Sequence, residues 1–383
     1  MSVPKRRLTV AVLGLLVTLA LIGWFSRPSP PRYTITDLGV LPGDTFSGAS
    51  GVNNRGEVVG LSGAQRIDRR HAFLYRNGVM TDLGRFGLIG SHDGPAINDS
   101  GQVTGVVQFG TQASGPGQKL HAFLYDAGGM HDLGTPPGYS MSLGGGINSR
   151  GQIVYEAWGN KPGAAMPLDH AFLASGGAVD IGILPGCWNT IPAGINATGR
   201  IVGYSQRQIG GSLHAFIYDS RTRKMTALAT PPGFTGSVAL GINDQAQIIG
   251  SAVLSNEKEQ AVLWADGIAT DLGTLPGLDN TSGAAINNWG EAVGTAWSRM
   301  GALARFVNDH PIHLGPLLPL FPQQETQRAF IYRAGRMTDL NALIPADAGW
   351  VLQKAQGIND RGQIVGRGLH HGQERAFLLT PVR

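Results

Sequence analysis

Three kinds of polar residue recur along this chain at spacings that invite a chemical reading. Histidine precedes Ala-Phe at His71, His121, His170 and His214. Aspartate opens Asp-Leu-Gly or a close relative at Asp37, Asp82, Asp132, Asp180, Asp271 and Asp339. Asparagine begins a phrase written seven times, from GVNNRGEVVG at Gly51 to GINDRGQIVG at Gly357. Imidazoles suggest zinc, and Asn-Asp pairs suggest calcium, which needs six to eight oxygens. The copies argue against both. The histidine position becomes Gln260, Arg328 and Arg375, and arginine does not bind metal. The second position of the phrase is Asn54, Asp99, Ser149, Ala197, Asp244, Asn288 and Asp360, so one copy lacks a side-chain oxygen. The aspartate gives way to Ala227 in one copy. Structural hydrogen bonding accommodates every replacement, so we expect no metal ligand and no cofactor.

Nucleophilic catalysis finds no better footing. The chain has no nucleophile elbow, no HExxH, no phosphate loop and no cysteine metal pair. Its one cysteine, Cys187, lies in no cysteine-histidine signature and reads as a small packed residue. No catalytic residue is named on this basis. A propeller-type hydrolase or lyase with a scattered site stays as an alternative to a binding module, and a purely structural envelope protein as another.

The elements that carry these residues follow from the repeat. Successive copies of the phrase lie 45, 50, 48, 47, 44 and 72 residues apart. A period of 40 to 50 residues with several short strands per unit is that of a β-propeller blade. Each unit reads as four strands, A to D, seen first as SGASGVN, GEVVGLS, HAFLY and VMTDLG. Strands B and C are apolar on both faces, as stacked blades require. The phrase itself spans the A–B turn, with Gly in the left-handed position and Asn bonding the backbone two residues on. It reads as a joint, and losing its Asn should cost one turn hydrogen bond, ~1 kcal/mol.

Residues 33–39 supply a strand D without A, B and C, and residues 351–381 supply A, B and C without D. Together they complete a blade and remove free sheet edges, which predicts a closed all-β propeller. Seven phrases predict seven blades. The 72-residue interval holds what reads as an extra C–D pair, from Arg328 to Leu340, and leaves an eighth blade open.

The combination of DLG, GINxxGQIVG and HAFL, closing with MTDLNALIPADAGW and RAFLLTPV, resembles the bacterial extracellular HAF-repeat proteins. The resemblance covers residues 33–383. It implies export and a repeat fold, and it transfers no catalytic residue.

Residues Leu8 to Phe25 contain no charge and follow Lys5-Arg6-Arg7. As a helix they would span roughly 27 Å, close to a bilayer core of about 30 Å. They read as a transmembrane signal-anchor with its N-terminus in the cytoplasm, or else as a cleaved signal peptide. Either reading places residues 33–383 in the periplasm or outside the cell, after a Pro-rich tether at 26–32. The net charge of +4 sits here: five basic residues and no acid lie in the first 32. The remaining 25 basic residues face 26 acidic ones, which leaves no electrostatic footprint for nucleic acid.

Strand order puts the A–B and C–D turns on one face and the variable B–C and D–A loops on the other. Variable loops on a rigid scaffold are where binding resides. Phe46, Tyr139, Trp188, Phe234 and Trp350 lead into strand A, where other copies carry Ile89 and Leu278. Arg66, Arg69 and Arg70 cluster in the first B–C loop. These eight side chains are the expected site for a glycan, peptide or protein ligand, with interblade wedging as the alternative role of the aromatics.

Overall fold

The computed structural model describes residues 32–64, 70–85, 94–109, 119–159, 168–207, 211–298 and 326–382. They form seven four-stranded antiparallel sheets arranged as the blades of a β-propeller. The blades span 46–85, 96–132, 141–180, 191–227, 234–271, 280–339 and 350–381, the last with 33–37 added. Within each sheet the strands follow the order A, B, C, D outward from the axis. Among the described residues the helical content is one 3-10 turn, Leu340–Leu343, and no helix is long and apolar enough to cross a membrane. The expected span from Leu8 to Phe25 and the tether up to Pro31 lie outside the described residues.

Tyr33–Asp37 pairs antiparallel with Gln373–Pro381 and becomes strand D of blade 7, so both chain termini share one sheet. The blade count is seven, and the pair from Arg328 to Leu340 is not an extra one. Thr326–Arg333 pairs along its length with Ala292–Ser298 and is strand C of blade 6. The physical reason lies in one alanine. The Ala of His-Ala-Phe and its variants is fully buried at Ala72, Ala122, Ala171, Ala215, Ala261, Ala329 and Ala376. The weaker copy at 304–307 carries Arg305 at that position. A guanidinium has no place in a packed, apolar interblade layer. The long interval is therefore an insertion between strands B and C of blade 6, and residues 299–325 lie outside the described ones.

The next residue explains a second constant. Phe73, Phe123, Phe216, Phe330 and Phe377 are fully buried, and each pairs with a strand-B glycine. A Cβ on Gly60 would lie 2.1 Å from the Gly48 carbonyl and 2.8 Å from the Phe73 ring, which no side chain tolerates. Blade 3 inverts the arrangement. Tyr155 stands in strand B, and the small residue moves across the ladder to Gly144.

The repeated phrase is a joint of a different kind from a simple turn. Asn98 Oδ1 accepts from the backbone N–H groups of Ser100 and Gln102 at 3.0 Å each. Its Nδ2 donates to Gln102 Oε1 at 2.8 Å and to the Asn148 carbonyl of the next blade at 2.9 Å. The interblade bond recurs from Asn53 to Asn98, Asn148 to Asn196, Asn196 to Asn243, Asn243 to Asn287, Asn287 to Asn359, and Asn359 back to Asn53. One buried amide per blade thus ties each turn to itself and to its neighbour, and the circuit runs around the axis.

Candidate functional site

The recurring polar side chains are held in structural contacts. The second position of the phrase forms an outer arc of bonds over the asparagine circuit, from blade 4 through blade 7 to blade 2. Asp99, Asp244, Asn288, Asp360 and Asn54 each accept, through Oδ1, from the backbone N–H of the preceding blade's equivalent residue. Ala197 takes part as the donor to Asp244 at 2.8 Å, which is why an alanine is tolerated there. These turns surround a cavity of about 190 Å³ at the axis.

The histidines meet the aspartates. His71 Nδ1 lies 2.8 Å from Asp82, His121 Nδ1 2.8 Å from Asp132 and His170 Nδ1 3.0 Å from Asp180. The other oxygen of Asp82, like one oxygen of Asp132 and of Asp180, accepts from the backbone N–H two residues on and ends strand D. In blade 7, His370 takes the histidine's role toward Asp37. In blade 4, where Ala227 replaces the aspartate, His214 bonds Ser212 instead. A further bond ties consecutive blades. Ser47, Ser142 and Thr281 accept from the backbone N–H of the preceding blade's fully buried alanine.

The expected ligand residues divide. Phe46 is buried, and Tyr139, Trp188, Phe234 and Trp350 are half-buried. Tyr139 meets Phe172 edge-on at 5.4 Å, Phe234 packs on the core between blades 4 and 5, and Trp350 stacks on His370 at 4.5 Å. Tyr139, Phe234 and Trp350 thus pack on interblade clusters, whereas Trp188 has a buried Nε1 with no hydrogen-bond partner among the described residues. Arg66 and Arg69 lie outside the described residues. Of the eight, Phe46 and Arg70 line one cavity.

That cavity belongs to a pattern the repeats concealed. Strand pairing sets one strand-B residue opposite the buried alanine in every blade. It is Leu61, Val106, Glu156, Tyr204, Ser251, Thr295 or Arg367. Two positions before that alanine stand Arg70, Leu120, Asp169, Leu213, Glu259, Gln327 and Glu374. Alternation along antiparallel strands puts both residues on the same blade face, near the B–C loops. Most other positions repeat, whereas these change character from blade to blade.

Charge concentrates where blades 5, 6, 7 and 1 meet the channel. A cavity of about 340 Å³ is bounded by Glu259, Thr295, Trp297, Gln327, Lys354 and Gln356. One of about 190 Å³ is bounded by Phe46, Arg70, Lys354, Gln356 and Arg367. Lys354 and Gln356 border both, so the two cavities adjoin along strand A of blade 7 as two ends of a basin. Both come from strand A of blade 7, whose counterparts in blades 1 and 6 are the small residues of FSGASGV and NTSGAAI. Arg70 lies over the Phe46 ring at 4.8 Å, and its buried Nε has no hydrogen-bond partner among the described residues. Burial and the neighbouring Arg367 pull its pKa down, against a smaller opposing pull from Glu374. Arg367 approaches Glu374 at 3.8 Å.

Blade 3 holds the other notable pair. Glu156 and Asp169 occupy the variable positions, and Glu156 is 4% exposed. Burial, and then the charge of Glu156, push the Asp169 carboxyl up to about 6, against a hydrogen bond from Asn189.

No protein-family model matches the chain, and neither does any characterised protein sequence. Solved structures do. The chain is similar to the β-propeller domain of the Trilobed protease from Pyrococcus furiosus, described as having an open velcro topology. That similarity has TM-score 0.50 and 12% identity over 76% of this chain and 81% of that one. It is also similar to an oligogalacturonate lyase in complex with manganese, at TM-score 0.51 and 10% identity over 93% and 97%. The oligogalacturonate lyase of Vibrio parahaemolyticus gives TM-score 0.52 and 9% identity over 90% and 93%. At these identities the likeness is one of fold.

Lys354, Gln356, Arg367, Trp297, Glu259 and Gln327, which line these cavities, were not among the residues expected from the sequence. The signal was present in the copies. These residues break the repeat, whereas attention to aromatics and loop arginines favoured residues that pack.

Proposed function

We propose that this chain is an exported, membrane-anchored β-propeller of the HAF-repeat kind, closed by its shared terminal blade, that binds a ligand in the basin between blades 5 and 1. Leu8 to Phe25 hold it in the membrane, with residues 33–383 in the periplasm or outside the cell. One observation carries the binding site. Positions that build the fold repeat from blade to blade, while the charged and hydrogen-bonding residues that break the repeat, apart from Glu156 and Asp169 in blade 3, converge on one basin. A scaffold needs the first set only. Partly enclosed clefts with a few convergent polar groups are the usual form of small-ligand sites. The test is a screen of glycans and peptides against the full chain, followed by Lys354→Ala. The reading holds when a ligand is found whose affinity falls at least tenfold in the variant without loss of thermal stability. It fails when every ligand found is indifferent to Lys354.

A second reading is enzymatic, favoured by Glu156 and Asp169. A carboxyl with pKa about 6 is suited to proton transfer near neutral pH. The lyases of similar fold make polysaccharides the first substrates to try. Turnover abolished by Asp169→Asn supports this reading, and undiminished turnover in that variant ends it.

A further inference from the structure

We infer that the blade 7–blade 1 end of the basin is an anion subsite, and that its ligand is an oligosaccharide bearing carboxylate groups. The inference rests on the binding reading above and names the ligand's chemistry. Three cationic side chains, Arg70, Lys354 and Arg367, border a cavity of about 190 Å³. Among the described residues, Glu374 lies 3.8 Å from Arg367, too far for a close bidentate pair. Arg70 has a buried Nε with no hydrogen-bond partner among the described residues. Burying a guanidinium N–H without an acceptor, beside a second guanidinium, is unfavourable in the unliganded protein. A planar oxyanion removes both penalties, since it accepts from the guanidinium fork and offsets the like charges.

The rest of the basin decides what carries the anion. Trp297, Gln327, Thr295 and Gln356 line its other half, with the carboxylate of Glu259 at the end away from Arg70 and Arg367. An indole face beside amide and hydroxyl groups matches a sugar ring, with its apolar C–H face and ring of hydroxyls. The apolar lining, Phe46, Leu61 and Leu240, is interspersed with polar groups rather than set out as the alternate pockets that would fix peptide side chains. The ligand therefore places a carboxylate among Arg70, Lys354 and Arg367 and a neighbouring ring against Trp297.

The experiment uses the full chain in detergent and arrayed uronic-acid oligosaccharides, each alongside its carboxyl-reduced counterpart. Reduction removes the charge and leaves the ring in place. At least one acidic oligosaccharide should bind, less tightly as salt rises. Carboxyl reduction should weaken it about 10- to 100-fold, the range for a lost charge-assisted hydrogen bond. Arg70→Gln and Arg367→Gln should each do the same, while Arg221→Gln, a cation in a C–D turn on the opposite face, should change nothing. Arg70→Gln should not lower the melting temperature, since it relieves a buried like-charge contact; a purely structural arginine would lower it. Lys354→Gln gives the same binding readout should Arg70→Gln fail to fold. Equal binding of acidic and reduced forms overturns the anion subsite and leaves the binding reading standing, provided Lys354→Ala still weakens it. Binding of acidic peptides with no oligosaccharide bound overturns the saccharide assignment. No binding of either class overturns this inference, while the binding reading falls only if the wider glycan and peptide screen also finds no ligand sensitive to Lys354→Ala.

Discussion

Replacing Asn98 by alanine removes four hydrogen bonds at once. Two close the turn onto Ser100 and Gln102, one fixes the Gln102 side chain, and one reaches the Asn148 carbonyl in the next blade. The side chain is 5% exposed, so water replaces few of these contacts in place. At a net ~1 kcal/mol each, the sum is about 4 kcal/mol. The Asn148 carbonyl keeps its turn bond from Gly151, and the turn N–H groups gain some water at the channel mouth, which brings the expectation to about 2–4 kcal/mol. That is several times the ~1 kcal/mol expected for a turn bond alone. With an unfolding entropy of ~2.1 cal/mol/K per residue, a propeller of this size loses about 3–6 °C in melting temperature. Differential scanning calorimetry at fixed pH reads it directly. Asn98→Asp keeps both acceptors and sets a carboxylate oxygen against the Asn148 carbonyl, so it should cost as much or more. A loss under about 1 °C for Asn98→Ala would refute the view that the phrase links blades rather than merely turning the chain.

Three further outcomes follow from single contacts. Gly60→Ala drives a Cβ to 2.1 Å from the Gly48 carbonyl and should cost at least about 3 kcal/mol in urea denaturation, whereas Gly78→Ala, with φ +82° and open space, should cost about 1 kcal/mol. Asp169 has a folded pKa of about 6 against an ordinary 3.8, so the folded state holds its proton longer than the unfolded chain. Its contribution is present below pH ~4 and lost as pH rises through ~6, so wild-type stability relative to Asp169→Asn should fall across that window and level off above it. Ala227→Asp restores the partner missing beside His214, whose pKa is held down by burial and then by Arg207. A depressed histidine pKa means stability lost as pH falls through it. The variant should raise that pKa in an NMR titration, lessen the acid-side loss and add about 0.2–1 kcal/mol.

The all-β propeller was legible in the chain because blades repeat the same local physics. Short repeated runs, apolar on both faces in strands B and C, marked the strands, Gly and Asn set the turns, and incomplete units at both ends announced their own pairing. The joint role of Asn98 and its six counterparts was legible in half. The turn is local, and its bonds fall within five residues, but the bond to the next blade spans 44 to 72 residues, and 306 where blade 7 meets blade 1, and is visible only once blades stack. The same holds for Ser47 and Ser142, which appear as ordinary strand residues until a neighbouring blade presents an alanine N–H. The blade count turned on Ala329 and Arg305, since burial decided which downstream copy pairs with Ala292–Ser298. The basin was not legible by inspecting residue types. Arg70, Arg367 and Lys354 come from three strands of two blades at opposite ends of the chain, and no local rule relates them. What a sequence of repeats determines by itself is the unit, because the unit is held by contacts within tens of residues. Which exceptions to the unit stand together is decided by blade-on-blade packing, because only the packing of blade 1 against blade 7 brings residue 70 beside residue 367.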